Sequence, residues 1–287
     1  MKMRKIGIFT DGVFKQPDFD AGFELIKACG FDCADYSGLI NTASEFGLLD
    51  GAALTSKMRE VKRAADRAGV EIYQLHGPWM APLPNLTEEE RRAWTDYANK
   101  CILASEVLGS PHYIIHPMMP FGVRGKEDPE FVLYSNRRFL NELCDTAEKV
   151  GVTVCLENMP FPWMTLYSEL HVLDMVRELG RDNLKVCLDT GHSLVGGVEP
   201  ADAVRALGDM TEALHVHDNF GDSDRHLLPG QGKADWTAFG SAVRECIPEE
   251  VPMILETGPS HSYHAEARES LLRGYAGVAK YLCETEN

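Results

Sequence analysis

Apolar residues recur along this chain in short β-branched runs separated by longer amphipathic stretches. The runs predict eight strands: Lys5–Phe9, Phe31–Tyr36, Glu71–His76, Tyr113–His116, Thr153–Glu157, Leu184–Asp189, Ala213–His217 and Pro252–Glu256. The stretches between them carry helix stops. Gly30, Gly69, Gly109, Gly151, Gly180 and Gly208 each follow a helix-like segment, where glycine takes the left-handed conformation without a Cβ clash. The clearest start is Asn-Leu-Thr-Glu-Glu-Glu, in which Thr87 and Glu90 form a capping box and predict a helix over Thr87–Leu108. Further helices are predicted over Asn136–Val150 and Ala265–Leu282. Strict alternation of strand and helix implies a parallel sheet covered by helices. Eight such units in 287 residues favour closure into a (β/α)8 TIM barrel, one domain over residues 1–287.

A hydrophobic content of 44% is enough for a sizeable core and excludes intrinsic disorder. The 28 Lys+Arg against 44 Asp+Glu give a formal charge of −16, which excludes a polybasic binding module. No run reaches the roughly 18–20 apolar residues of a membrane span. The N-terminal MKMRKIGIFTDG is positively charged, but its apolar run is short for a signal peptide and Asp11 interrupts it. A cytoplasmic location is therefore expected. The eight cysteines are scattered, with no C-x-x-C, and are expected to be buried free thiols.

The chemistry gathers at the strand ends. His76, His116, Glu157, Asp189, His215 and Glu256 each close an apolar run, and each is a metal-ligand type. Strand C-termini of such a barrel converge on one mouth. Burying that many carboxylates and imidazoles together is costly unless a cation neutralises them. Taken singly, the histidines also fit loop-entry roles and the carboxylates fit helix caps; recurrence at one structural position is what favours a metal centre. His192, three residues after Asp189, and Asp224 with His226 in D-R-H-L-L-P-G-Q-G reach the same mouth as additional metal or substrate groups. His217 is expected behind the ligands or against substrate. His112, His171, His261 and His264 have no such placement.

At L-E-N-M-P, L-D-T-G-H, H-V-H-D-N and D-R-H-L-L-P-G-Q-G-x-x-D-W the chain resembles the xylose isomerase-like barrel superfamily, from IGIFTDG to ILETG. That group includes sugar phosphate isomerases/epimerases, ketose 3-epimerases, inosose dehydratases and the endonuclease IV class. The resemblance to the ketose 3-epimerases implies one divalent ion held by Glu157, Asp189, His215 and Glu256. The resemblance to endonuclease IV implies up to three zinc ions, with counterparts at His76, His116, Glu157, Asp189, His192, His215, Asp224, His226 and Glu256. Mn2+, Co2+, Fe2+ and Zn2+ all suit mixed imidazole and carboxylate ligands.

An epimerase removes a proton next to a carbonyl, and a metal stabilises the resulting enediolate as a Lewis acid. Glu157 and Glu256 would be the acid/base pair. A DNA repair enzyme would instead need phosphate-contacting loops. Here GPWMAPLPN, PMMPFGVRGKEDPEF and NMPFPWMTLYS are rich in Pro, Met and aromatics and poor in Lys and Arg, which argues against nucleic acid. Trp79, Phe121, Phe161 and Trp163 fit an apolar wall against a sugar face, or equally a packed lid or a contact between copies of a homo-oligomer. Arg124, Lys126, Arg225 and Lys233 are the loop cations near the expected mouth, so a free sugar and a sugar phosphate both remain open as substrate. A dehydratase or lyase sharing the enolisation step is an alternative, as is a metal-binding barrel without catalysis.

Overall fold

In the computed structural model, the described residues are 4–14, 18–79, 83–84, 86–118, 120–121 and 127–284, with 83–84 and 120–121 described as backbone only. Eight parallel strands form the sheet: β1 (Ile6–Phe9), β2 (Cys33–Tyr36), β3 (Glu71–His76), β4 (His112–Ile115), β5 (Thr153–Glu157), β6 (Leu184–Asp189), β7 (Thr211–His215) and β8 (Met253–Leu255). They pair in chain order, and β8 returns to pair with β1. Between β7 and β8 the ring closes on one bridge, Val216 with Leu255, through Val216 N to Ile254 O (2.9 Å) and Glu256 N to Val216 O (3.1 Å). This is a (β/α)8 TIM barrel. A two-residue parallel pair, Leu83–Pro84 with Pro120–Phe121, lies outside it.

The surrounding helices are α1 (Phe19–Cys29), α2 (Gly51–Ala68), α3 (Glu88–Leu108), α4 (Pro129–Val150), α5 (Glu169–Leu179), α6 (Thr190–Val195), α7 (Pro200–Leu207), α8 (Trp236–Cys246) and α9 (Ala265–Glu284). The Thr87/Glu90 capping box starts α3 as expected. The helix expected from Asn136 begins instead at Pro129: Asp128 accepts from Glu130 N and Phe131 N, and proline at the first helical position needs no amide partner. Five of the six glycine stops are left-handed; Gly208 (φ 54°, ψ −134°) leads into a short 3-10 turn. Strand boundaries shift by one or two residues, so that His116, His217 and Glu256 lie just past β4, β7 and β8.

Two interior clusters stand apart from the main core between strands and helices. One holds Ile114, Cys155, Cys187 and Ala213; the other holds Cys33, Tyr73 and Ile254. Side chains alternate along a strand, so the residue two positions further on faces the same interior. That rule places His116 above Ile114, Glu157 above Cys155, Asp189 above Cys187, His215 above Ala213, Glu256 above Ile254 and Asp35 above Cys33. All eight cysteines are free, six of them buried. Among the described residues no helix is long and apolar enough to cross a membrane.

Candidate metal centre and active site

The strand-end residues come together at the C-terminal mouth of the barrel. Glu157 lies at the middle. Its Oε1 faces His215 Nδ1 (3.1 Å) and His192 Nδ1 (3.5 Å); its Oε2 faces His116 Nε2 (3.2 Å) and His76 Nε2 (3.9 Å). Glu256 stands across from it, 3.6 Å from both His215 Nδ1 and His76 Nε2. Asp189 is pinned by His192 N (2.6 Å) and by His217 Nε2 (2.9 Å). Asp224 lies 3.0 Å from His226 Nε2 and 3.4 Å from His192 Nε2. His217 Nε2 also lies 3.7 Å from Asp224 and 3.9 Å from Glu256, and its ring stacks on His226, with centroids 4.1 Å apart.

Local sequence explains much of this placement. Asn158 makes two bonds to the Asp189 backbone, accepting from its N (2.8 Å) and donating to its O (3.0 Å). Gly191 gives the His217 ring its place, since a Cβ there would overlap the imidazole. The loop carrying Asp224 and His226 is tied to Asp218, a buried carboxylate the sequence reading passed over. It accepts from Trp236 Nε1 (2.8 Å), Gly232 N (2.8 Å), Gly230 N (3.0 Å) and Asn219 N (2.9 Å). The sequence H-D-N…P-G-Q-G…D-W is thus a hydrogen-bonded knot. His226 is held at φ 46°, rare for a residue with a Cβ, while its Nδ1 donates to Glu256 O (2.7 Å).

Metal-binding histidines commonly donate their outer N–H to a carbonyl or carboxylate and turn the other nitrogen inward. Four histidines here have such a partner: His76 Nδ1 to Gly77 O (2.8 Å), His192 Nδ1 to Asn158 O (2.7 Å), His226 Nδ1 to Glu256 O, and His215 Nε2 to Asp35 (2.8 Å). Their inward nitrogens meet the carboxylates. Both oxygens of Glu157, Oε2 of Glu256 and Nδ1 of His215 are buried with no hydrogen-bond partner. Ligand-type atoms within 4.8 Å of one another form the sets His76/His116/Glu157, His76/His215/Glu256, Asp189/His192/His217 and His217/Asp224/His226. The donors present fit a divalent cation.

The neighbouring carboxylates and imidazoles shift one another toward their charged forms. Burial alone would raise the Glu157 carboxyl, but His215 and then His116 outweigh it and hold it well below the usual range. Glu256 is lowered likewise, chiefly by His215 against its burial. Burial would lower His192, but Asp189 and Asp224 push it up to about 10. His226, beside Asp224 and Glu256, is also pushed up to about 10 against its burial.

An aromatic row borders the centre. Trp79 meets His116 edge-on (4.9 Å, 85°) and faces Phe161 (6.3 Å), which packs against Trp163 (5.8 Å). The side chain of Phe121, Arg124 and Lys126 lie outside the described residues. Arg225 is bound to Asp222 (2.6 Å). His112 is a buried residue at the opposite, N-terminal end of β4, stacked on Tyr73 and 3.3 Å from Glu212. His171 packs on Tyr167, and His261 donates to Asp11 O.

Residues 23–274 match the family described as xylose isomerase-like TIM barrel, and the chain belongs to that family. Among curated relatives, D-psicose 3-epimerase of Enterocloster bolteae is 27% identical over 236 residues, 79% of this chain and 73% of the relative. A protein of Geobacillus kaustophilus named "Probable endonuclease 4" is 26% identical over 264 residues, 83% of this chain and 84% of the relative. A solved D-psicose 3-epimerase, crystallised in the presence of D-fructose, shares the fold with a TM-score of 0.76 at 16% identity, covering 97% of this chain and 99% of that one.

Proposed function

We propose that this single barrel domain is a divalent-metal-dependent isomerase or epimerase of a sugar or sugar phosphate. The observation that carries the reading is the approach of two buried carboxylates, Glu157 and Glu256, to one imidazole nitrogen, His215 Nδ1, at 3.1 and 3.6 Å. The 27% identity to a D-psicose 3-epimerase supports the same chemistry. Glu157, Asp189, His215 and Glu256 would hold the ion, with Mn2+, Co2+ and Zn2+ the candidates. When bound, it supplies Lewis-acid stabilisation for negative charge developing on the substrate carbonyl oxygen.

The protein groups do the proton work. One of Glu157 and Glu256 would take the proton from the carbon next to the carbonyl; the other would deliver a proton it has taken up from solvent, and the first would then lose its proton to solvent, which restores the pair. Both are held ionised at neutral pH, so either can begin as base. His192 and His226 would orient substrate hydroxyls, and His217 keeps Asp189 in place. The row Trp79, Phe161 and Trp163 offers an apolar wall to one sugar face and limits water at the reacting carbon.

A specific feature favours a second reading. The two oxygens of Glu157 face different histidines, so this carboxylate would be able to help hold more than one ion. Together with Asp224 and His226, that supports up to three ions and hydrolysis of a phosphodiester, as the likeness to "Probable endonuclease 4" suggests. One experiment separates the two. The metal-loaded protein is incubated in D2O with ketoses and ketose phosphates. Carbon-bound deuterium is expected, and Glu157→Gln should lower its rate by roughly 10²–10⁴-fold while leaving metal bound. Cleavage of an abasic-site duplex without any exchange would replace the isomerase reading with the hydrolase one.

A further inference from the structure

Asp35 is fully buried on β2 and lies outside every ligand set described above. We propose that it is a positioning residue: it holds His215 protonated on Nε2 and so reserves Nδ1 for the ion. The inference rests on the metal centre argued above.

Four observations place it. Asp35 Oδ2 accepts from His215 Nε2 at 2.8 Å and from Gln74 Nε2 at 2.9 Å. Both donors lie in the barrel interior and are fully buried. The β2–β3 pairing shifts register between Ala34 and Asp35, an irregularity of the kind that re-aims a side chain. The His215 ring also stacks on His76 with planes 1° apart and centroids at 5.2 Å, which limits rotation of the imidazole.

The chemistry follows from the tautomer. A neutral imidazole has one N–H and one lone pair, and the stronger acceptor takes the N–H. A buried carboxylate at 2.8 Å is such an acceptor, so the lone pair falls on Nδ1, between Glu157 and Glu256. An asparagine of the same shape accepts less strongly, and its amide can instead donate to Nε2, which moves the proton to Nδ1.

The test uses the full chain, 15N-labelled at histidine and loaded with 113Cd2+. In the wild type, the expected spectrum shows 113Cd coupled to His215 Nδ1 and a proton on Nε2. In Asp35→Asn, the Cd2+ dissociation constant from chelator competition is expected to rise roughly 10–100-fold. The far-UV circular dichroism of the ion-free variant should match the wild type. Coupling through Nε2, or an affinity within about twofold of wild type in the folded variant, would overturn the assignment. Should Asp35→Asn fail to fold, the wild-type spectrum alone decides. Loss of coupling at every histidine in the wild type would remove the metal centre itself, a different failure from coupling at the wrong nitrogen.

Discussion

Replacing Asp218 with alanine tests whether one carboxylate organises the loop that carries Asp224 and His226. The native side chain accepts from Trp236 Nε1, Gly230 N, Gly232 N and Asn219 N. Truncation leaves those donors without their acceptor. The Trp236 bond is buried, and an orphaned buried donor costs about 1–3 kcal/mol. The glycine amides are partly exposed, so water recovers part of their loss, leaving about 1 kcal/mol each. The Trp236, Gly230 and Gly232 bonds alone predict about 3–5 kcal/mol, a large share of the roughly 5–15 kcal/mol that holds a typical domain folded. Urea unfolding of the ion-free protein measures it directly. Trp236→Phe removes one donor while the carboxylate keeps the others, so about 1–2 kcal/mol is expected. A loss below about 1 kcal/mol for Asp218→Ala would refute the account, because it would mean the loop holds its shape without the knot.

Ion-free protein should show a pH dependence set by its histidines. His192 and His226 titrate near 10 when folded and near 6.5 when unfolded, so their contribution is complete below pH 6.5 and is lost as pH rises toward 10. Glu157 and Glu256 are lowered, so theirs is present above pH 4.5 and is lost on acidification. Ion binding displaces protons and strengthens as pH rises, so the gap in melting temperature between loaded and ion-free protein should widen from about pH 6 to 9; a constant gap in calorimetry would contradict this. Gly191→Ala forces the His217 ring off Asp189. Equilibrium dialysis should then show roughly 10–100-fold weaker metal binding, and unchanged binding would place His217 outside the centre. Chelation should abolish deuterium exchange, with recovery on adding back Mn2+, Co2+ or Zn2+.

The barrel and most of its mouth were legible because short apolar runs ending in ligand-type residues mark the strand ends directly. His76, Glu157, Asp189 and His215 are each the last residue of a strand in the structure. Asp35 was passed over for a physical reason. Attention to terminal residues points to Tyr36 on β2, whereas alternation from the interior residue Cys33 puts Asp35 inward; an aspartate inside F-D-C-A-D-Y carried that signal. Asp218 is harder to find. Its partners lie as far as 18 residues along the chain, at Trp236, and nothing local shows that the glycine amides turn back on it. The early start of α4 could be read from Asp128-Pro129, a cap followed by proline, which apolar periodicity does not register. The pairing of His217 with Asp189 is a tertiary contact, and spacing in the chain gives only the strand face.

The narrow closure between β7 and β8 gives the proposed ion a second role. His215 ends one of these strands and Glu256 follows the other, so a single ion held by both would span the barrel's least bonded join. Ligation there would act as a clasp. The energy of ion binding would add to the cohesion of the ring, so the two strands would part more readily in ion-free protein. Amide exchange slowed by the ion should therefore be concentrated at Val216 and Glu256, whose N–H groups form the seam, rather than spread evenly around the barrel.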